Sequence, residues 1–169
     1  MEAMEPAIGA ARNAERELWQ HYGLAMVERF IEIQNPGLRV RMLECGNPSA
    51  EPLIFVQGGL GEACGWASLM AKLTDFRCIT LDRPGGGLSD GVDFLEVDVR
   101  KLAVNVLQAV LDAAGVHQAA FVANSMGGGG RFSWRCKRRR GCREWRCSVV
   151  LRSSWRRQRR SPCDSSAFR

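Results

Sequence analysis

From Met26 to Glu44 the apolar residues fall at near-alternate positions. Val27, Phe30, Ile31 and Ile33 come first, then Leu38, Val40 and Met42 with Arg39 and Arg41 between them. Alternation of this kind describes strands with two unlike faces. Asn35-Pro36-Gly37, lying between the two runs, is a strong turn former. The pattern predicts a β-hairpin over 26–45, with Arg39 and Arg41 on its polar face. Ahead of it, Arg12 to Tyr22 carries the helix formers Ala14, Glu15, Glu17, Leu18 and Gln20, and Gly23 supplies a C-terminal stop.

Beyond the hairpin the period changes. Leu53-Ile54-Phe55-Val56 is a short continuous apolar run, followed by a glycine-rich loop, Gln57-Gly58-Gly59-Leu60-Gly61. Trp66, Leu69, Met70 and Leu73 then repeat at helical spacing. Phe76 to Leu81 reads as another buried strand, leading into Asp82-Arg83-Pro84-Gly85-Gly86-Gly87-Leu88-Ser89-Asp90. The strongest helix runs from about Glu96 to Ala114, with Val99, Leu102, Ala103, Val106, Leu107, Val110, Leu111 and Ala114 as one apolar stripe. Gly115 closes it, and Ala119 to Ala123 forms a last apolar run. Continuous apolar strands alternating with amphipathic helices predict an α/β fold with a parallel sheet covered on both faces.

That last run ends in Asn124-Ser125-Met126-Gly127-Gly128. Small residues flank a sharp turn with Ser125 at its tip, the small-x-Ser-x-Gly pattern of a nucleophile elbow with Ala123 in the first small position. In such a turn the backbone N–H of Met126 points toward the oxyanion formed when the serine attacks a carbonyl. Three loops thus follow three predicted parallel strands, the end of the sheet where α/β proteins place their sites.

In their order and spacing these loops resemble those of the α/β-hydrolase superfamily, over about 14 to 128. Gln57-Gly58-Gly59 is similar to that family's His-Gly-Gly oxyanion loop, with Gln57 in place of the usual His. Asp82-Arg83-Pro84-Gly85-Gly86-Gly87-Leu88-Ser89 is similar to its Asp-x-Pro-Gly-x-Gly-x-Ser loop. The resemblance implies Ser125 as the nucleophile and the N–H groups of Gly59 and Met126 as the oxyanion hole, with Leu60 the next candidate for the first donor. It implies hydrolysis of ester-like carbonyl bonds in a small-molecule substrate, and a structural role for Asp82. A serine at the elbow separates the chain from the dehalogenase and epoxide-hydrolase branches, which use Asp there. Gly59-Leu60-Gly61 with Asp82 also echoes a dinucleotide-binding fingerprint, but Cys64 stands where its third glycine belongs. No cofactor and no metal are expected.

A serine nucleophile needs a base and an acid to orient that base. In this fold both follow the serine in the chain. After Ser125 there is no histidine, and the acids are Glu144 and Asp164. His21 falls in the first helix. His117 precedes the strand whose far end bears Ser125, roughly 20 Å away at about 3.3 Å per residue. The expectation is a truncated α/β-hydrolase sheet, 1–130, that carries a serine but lacks its catalytic partners. Its strand 119–123 would form an exposed apolar edge, open to self-association.

Charge sharpens the division at residue 130. The net charge is +6, yet 131–169 alone holds 14 Lys and Arg against 2 Asp and Glu. This basic segment, rich in Arg, Ser, Cys and Trp, shows no helical or strand period and is expected to be disordered. Its composition is what a GC-rich gene yields out of frame, so a frameshift near Gly129 or Gly130 is the expected origin, and a splice variant or a gene-model error would look the same. A genuine nucleic-acid-binding arm with Trp134, Trp145 and Trp155 among the arginines is the functional alternative. A zinc site from Cys136, Cys142, Cys147 and Cys163 lacks any Cys-x-x-Cys pair. The acidic N-terminus without an apolar leader and the scattered cysteines point to a cytoplasmic protein with free thiols, and no apolar run is long enough to span a membrane.

Overall fold

A computed structural model describes residues 4–59, 61–124, 132–138 and 145–151. In chain order its elements are α1 (Met4–His21), β1 (Val27–Gln34), β2 (Gly37–Cys45), β3 (Glu51–Val56), a 3-10 turn (Ala63–Trp66), α2 (Ala67–Met70), β4 (Phe76–Leu81), α3 (Val99–Ala113), β5 (Gln118–Ala123), β6 (Phe132–Arg138) and β7 (Trp145–Leu151). The described strands form one sheet in the order β1-β2-β4-β3-β5-β6-β7. β3 lies between β4 and β5 and runs parallel to both, while β1, β2, β6 and β7 join antiparallel.

The parallel centre is where the sequence is continuously apolar. Ile54, Phe55 and Ile79 are fully buried, with α3 on one face and the 3-10 turn and α2 on the other. α3 turns Leu102, Val106, Val110 and Leu111 into the core. Val99 is 49% exposed and Ala103 is exposed too, so the inward stripe is narrower than the sequence pattern. Both long helices end as their glycines predict. Gly23 (φ 66°) and Gly115 (φ 64°) take the left-handed conformation. Leu24 N–H returns to Trp19 O and Val116 N–H to Leu111 O, each at 2.9 Å, the bond that closes a helix end with such a glycine.

Three expectations are corrected. The helix predicted around 66–73 is a 3-10 turn followed by the single helical turn of α2; Trp66, Met70 and Leu73 pack inward over Phe55, while Leu69 faces out. Arg41 does not belong to a solvent-facing row. It is 5% exposed, because α1 covers that side of β2 and supplies a carboxylate to meet it. Finally, the outer edge of β5 is not bare. β6 pairs with it from Gln118↔Lys137 to Ala120↔Arg135, and β7 pairs with β6 along its length.

The basic segment is therefore not without strands over 132–138 and 145–151. The ladder sets Phe132 opposite Leu151, Trp134 opposite Val149 and Cys136 opposite Cys147. Aromatic and apolar residues at alternate, paired positions favour a strand even with Ser133 and Arg135 between them. The expected disorder of the rest of 131–169 lies outside the described residues. Among those described, no helix is long and apolar enough to cross a membrane, and no group of three or more His, Cys, Asp or Glu could hold a metal ion.

Candidate active site

The C-terminal ends of β4, β3 and β5 lie side by side, so the segments after Leu81, Val56 and Ala123 leave the sheet together. Asn124 N–H donates to Val56 O at 3.3 Å. The residue before Ser125 is thereby fixed beside the residue that opens the Gln57-Gly58-Gly59 turn. Ser125, Met126 and Leu60 themselves lie outside the described residues.

Gln57 anchors the first loop. Its side chain is 2% exposed, and its Nε2 donates to the Leu81 carbonyl at the end of β4. The amide thus ties two of the three loops at their roots. Gly61 N–H closes the turn on Gly58 O at 3.2 Å. A Cβ on Gly61 would sit 2.9 Å from Gln57 Cβ, so the turn folds tightly over that side chain. Gly59 is exposed at its tip, and its carbonyl accepts from Arg83 Nη2 of the second loop.

Asp82 organises the second loop. It is 1% exposed, and its carboxylate accepts from Ala63 N–H (3.0 Å), Leu88 N–H (3.0 Å) and Arg41 Nη1 (3.1 Å). Gly87, at φ +53°, lies so close that a Cβ there would come within 2.2 Å of Asp82 Cγ. Ser89 Oγ donates to Asp82 O at 2.6 Å and accepts from Arg41 N–H at 2.9 Å, which stitches the loop back to β2. With these partners the Asp82 carboxylate holds the loop in shape and is not available to orient a histidine.

Sequence reasoning missed the cation at the centre of this arrangement. Arg41 bonds Glu15 of α1 through Nη1 (3.0 Å) and Nη2 (2.5 Å), Glu28 of β1 through Nε (2.5 Å), and Asp82. Burial lowers the Arg41 pKa, but the bonds and charges of Glu15 and Asp82 outweigh it and raise the guanidinium above its ordinary range. Nothing in the spacing of Arg39 and Arg41 told them apart. Arg39 keeps its side chain 56% exposed and pairs with Asp90 at 3.3 Å.

Neither histidine is near the strand ends that carry the loops by any described contact. His117 is exposed at the start of β5, the strand's length from Asn124. His21 is exposed at the end of α1, its ring edge-on to Tyr22 at 4.9 Å.

Comparison with known proteins agrees with this arrangement. The model of the alpha/beta hydrolase fold family matches residues 51–137. The 2-hydroxy-6-oxononadienedioate/2-hydroxy-6-oxononatrienedioate hydrolase of Paraburkholderia phymatum is 32% identical over 111 residues, 62% of this chain and 38% of that protein. The 2-hydroxy-6-oxo-6-phenylhexa-2,4-dienoate hydrolase of Burkholderia cepacia is 31% identical over 116 residues, 63% of this chain and 39% of that protein. Among solved structures, a bacterial membrane phospholipase A superposes with a TM-score of 0.58 at 28% identity, covering 73% of this chain and 38% of its own. The chain thus spans about two fifths of the length of the curated relatives it matches. With the β3-β4-β5 core, its three loops and a family match over half its length, this chain belongs to the α/β-hydrolase fold family.

Proposed function

We propose that the chain contributes the nucleophile half of a hydrolase site: Ser125 attacks a substrate carbonyl, and the N–H groups of Gly59 and Met126 receive the oxyanion. The observation that carries this reading is the Asn124 N–H bond to Val56 O. It holds Asn124, the residue before Ser125 in the chain, against Val56, the residue before the Gln57–Gly59 turn, which supports attack and oxyanion capture at one carbon. The substrate class is a small carbonyl compound. The names of the two bacterial relatives specify 6-oxo acids, so a ketone of that kind stands beside the ester as a candidate.

Turnover needs an imidazole to take the serine proton. The 169 residues hold His21, at the end of α1, and His117, at the opposite end of β5 from Asn124, and none after Ser125. We therefore infer that this chain alone is catalytically silent. A chimera tests the division of labour. Residues 1–128 are joined to the part of the Burkholderia cepacia hydrolase that the match leaves uncovered, and hydrolysis of 4-nitrophenyl esters and of a 2-hydroxy-6-oxo-dienoate is measured. Activity abolished by Ser125→Ala supports the assignment; activity that survives the substitution refutes it.

The basic segment is read as foreign to the family's own continuation. The family match runs to residue 137, so the change of composition falls within its last residues. Translating codons 125–135 in all three frames tests this. Another frame that continues a strand-and-helix pattern with a late histidine supports it.

One observation favours a second role. The β6-β7 register pairs Lys137 with Arg146 and sets Arg135 two residues along β6, a concentration of basic residues suited to phosphates. That role requires nucleic-acid affinity that falls with salt and is lost with 131–169 deleted, and a preference among sequences or structures beyond polycation binding.

A further inference from the structure

Two thiols that the hydrolase reading does not use stand directly opposite each other across an antiparallel ladder. Cys45, the last residue of β2, is the Cα partner of Cys78 in β4. Opposed residues in such a ladder have Cα atoms about 4.5 or 5.5 Å apart, depending on the pair type. Both spacings lie inside the roughly 4.4–6.8 Å that a disulfide accepts. Opposed residues also share a face. Both cysteines are buried in one cluster with Leu53, Phe55 and Met70, so their Cβ atoms project to the same side of the sheet.

We propose that Cys45 and Cys78 form a dithiol that closes reversibly to a cross-strand disulfide when the protein meets a hydroperoxide. The Cys45 thiolate attacks a peroxide oxygen; an S–O bond forms, the O–O bond breaks, and the leaving oxygen departs as an alcohol or as water. The Cys78 sulfur then attacks the Cys45 sulfur, an S–S bond forms, and the sulfenic oxygen leaves as water. Two thiols give up two electrons and two protons, and one peroxide is reduced.

The surroundings set the order of these steps. The adjoining Cys78 side chain holds the Cys45 thiol below the ordinary range, against burial and the charge of Glu44. The Cys45 neighbour, with burial, raises Cys78, whose S–H donates to Leu73 O at 3.9 Å. Cys45 is thus the attacking sulfur and Cys78 the resolving one. Access comes from the ladder itself. The β2-β4 pairing ends at this pair, with exposed Gly46 next in the chain, and ladder ends open most readily. Cys64 makes the contrast. It is more exposed, but burial and the charges of Glu15, Glu62 and Asp82 push its thiol up to about 11. Closure would span 46–77, and so bracket β3 and the Gln57–Gly59 turn.

The test uses the full chain, reduced, then treated with a small excess of hydrogen peroxide. After denaturation in N-ethylmaleimide it is digested with trypsin and Glu-C, which place Cys45 and Cys64 on separate peptides, and mapped without reductant. The expected result is a Cys45–Cys78 link that accumulates before any link at Cys64, consumes one peroxide per link and is reversed by dithiothreitol. It should be accompanied by a rise of several degrees in Tm, absent in Cys45→Ala. Recovery of Cys45 and Cys78 both as alkylated thiols while Cys64 is oxidised, or of Cys45 linked to another cysteine, overturns the proposal. The mapping is done on the native sequence, so it stands whether or not the variant folds.

Discussion

Arg41 Nη1 donates to Asp82 Oδ2 at 3.1 Å, and the two side chains are 6% and 1% exposed. This pair joins β2 to the loop after β4, and through Glu15 it also holds α1 against the sheet. Removing one partner of a buried ion pair leaves the others desolvated and uncompensated, at about 3–5 kcal/mol. Arg41→Met should therefore lower the urea-unfolding free energy by about 3–5 kcal/mol. Arg39→Met, two residues away on the same face but with its side chain 56% exposed, should leave it nearly unchanged. Equal effects would mean that Arg41 is not the central cation described here.

Gly87 tests the close approach behind the same loop. Its φ of +53° and the 2.2 Å between a built Cβ and Asp82 Cγ leave no room for alanine, and three bonds prevent the carboxylate from moving aside. Overpacking of this kind costs about 1–3 kcal/mol. Gly85 has a similar φ of +76°, but a Cβ there would meet only the Phe94 ring at 3.4 Å. Thermal unfolding should show Gly87→Ala well below Gly85→Ala.

Asp98 caps α3, its Oδ1 accepting from Arg100 N–H at 3.0 Å and Lys101 N–H at 3.1 Å. Asp98→Ala should cost about 1 kcal/mol of stability and Asp98→Asn much less, because an amide oxygen caps nearly as well. Chemical denaturation of the two variants reads the difference.

Acid should weaken the protein partly through Glu44. Burial raises this carboxyl, but hydrogen bonds and charge from Arg77, followed by those from Arg29, outweigh burial and hold it below the ordinary carboxylate range. A pKa depressed by folding contributes stability in full above the unfolded value of about 4.3. That contribution fades as pH falls through the lower folded value. The stability gap between wild type and Glu44→Gln should be constant from about pH 7 to 5 and shrink below about pH 4. A gap that does not change with pH would contradict the pairing.

Much of this architecture was legible in the chain. The parallel strands announced themselves as continuous apolar runs because both their faces are covered, and Gly23 and Gly115 marked helix ends because few other residues adopt positive φ without strain. The three loops were legible through their glycines, whose positions reflect close backbone approach at Gly61 and Gly87. Arg41 was not legible. Alternation reports which side of a strand a residue occupies, but not whether a distant helix will cover that side with Glu15. The strands of the basic segment were hidden for a related reason. Ser133, Arg135 and the basic run after Cys136 mask the period of Phe132, Trp134 and Cys136, which the pairing with β7 reveals. The short α2 shows the opposite error, where helical spacing persisted across a stretch too tightly wound to continue as a helix.

The proposal that Ser125 is a nucleophile with no base among these 169 residues is open to direct test. Stopped-flow mixing of the 169-residue chain with 4-nitrophenyl acetate, alongside Ser125→Ala, measures it most directly. The account predicts identical traces, with no burst of nitrophenolate above the slow background. A burst approaching one equivalent in the wild type, absent from the variant, would show that a base reaches Ser125 and would contradict it.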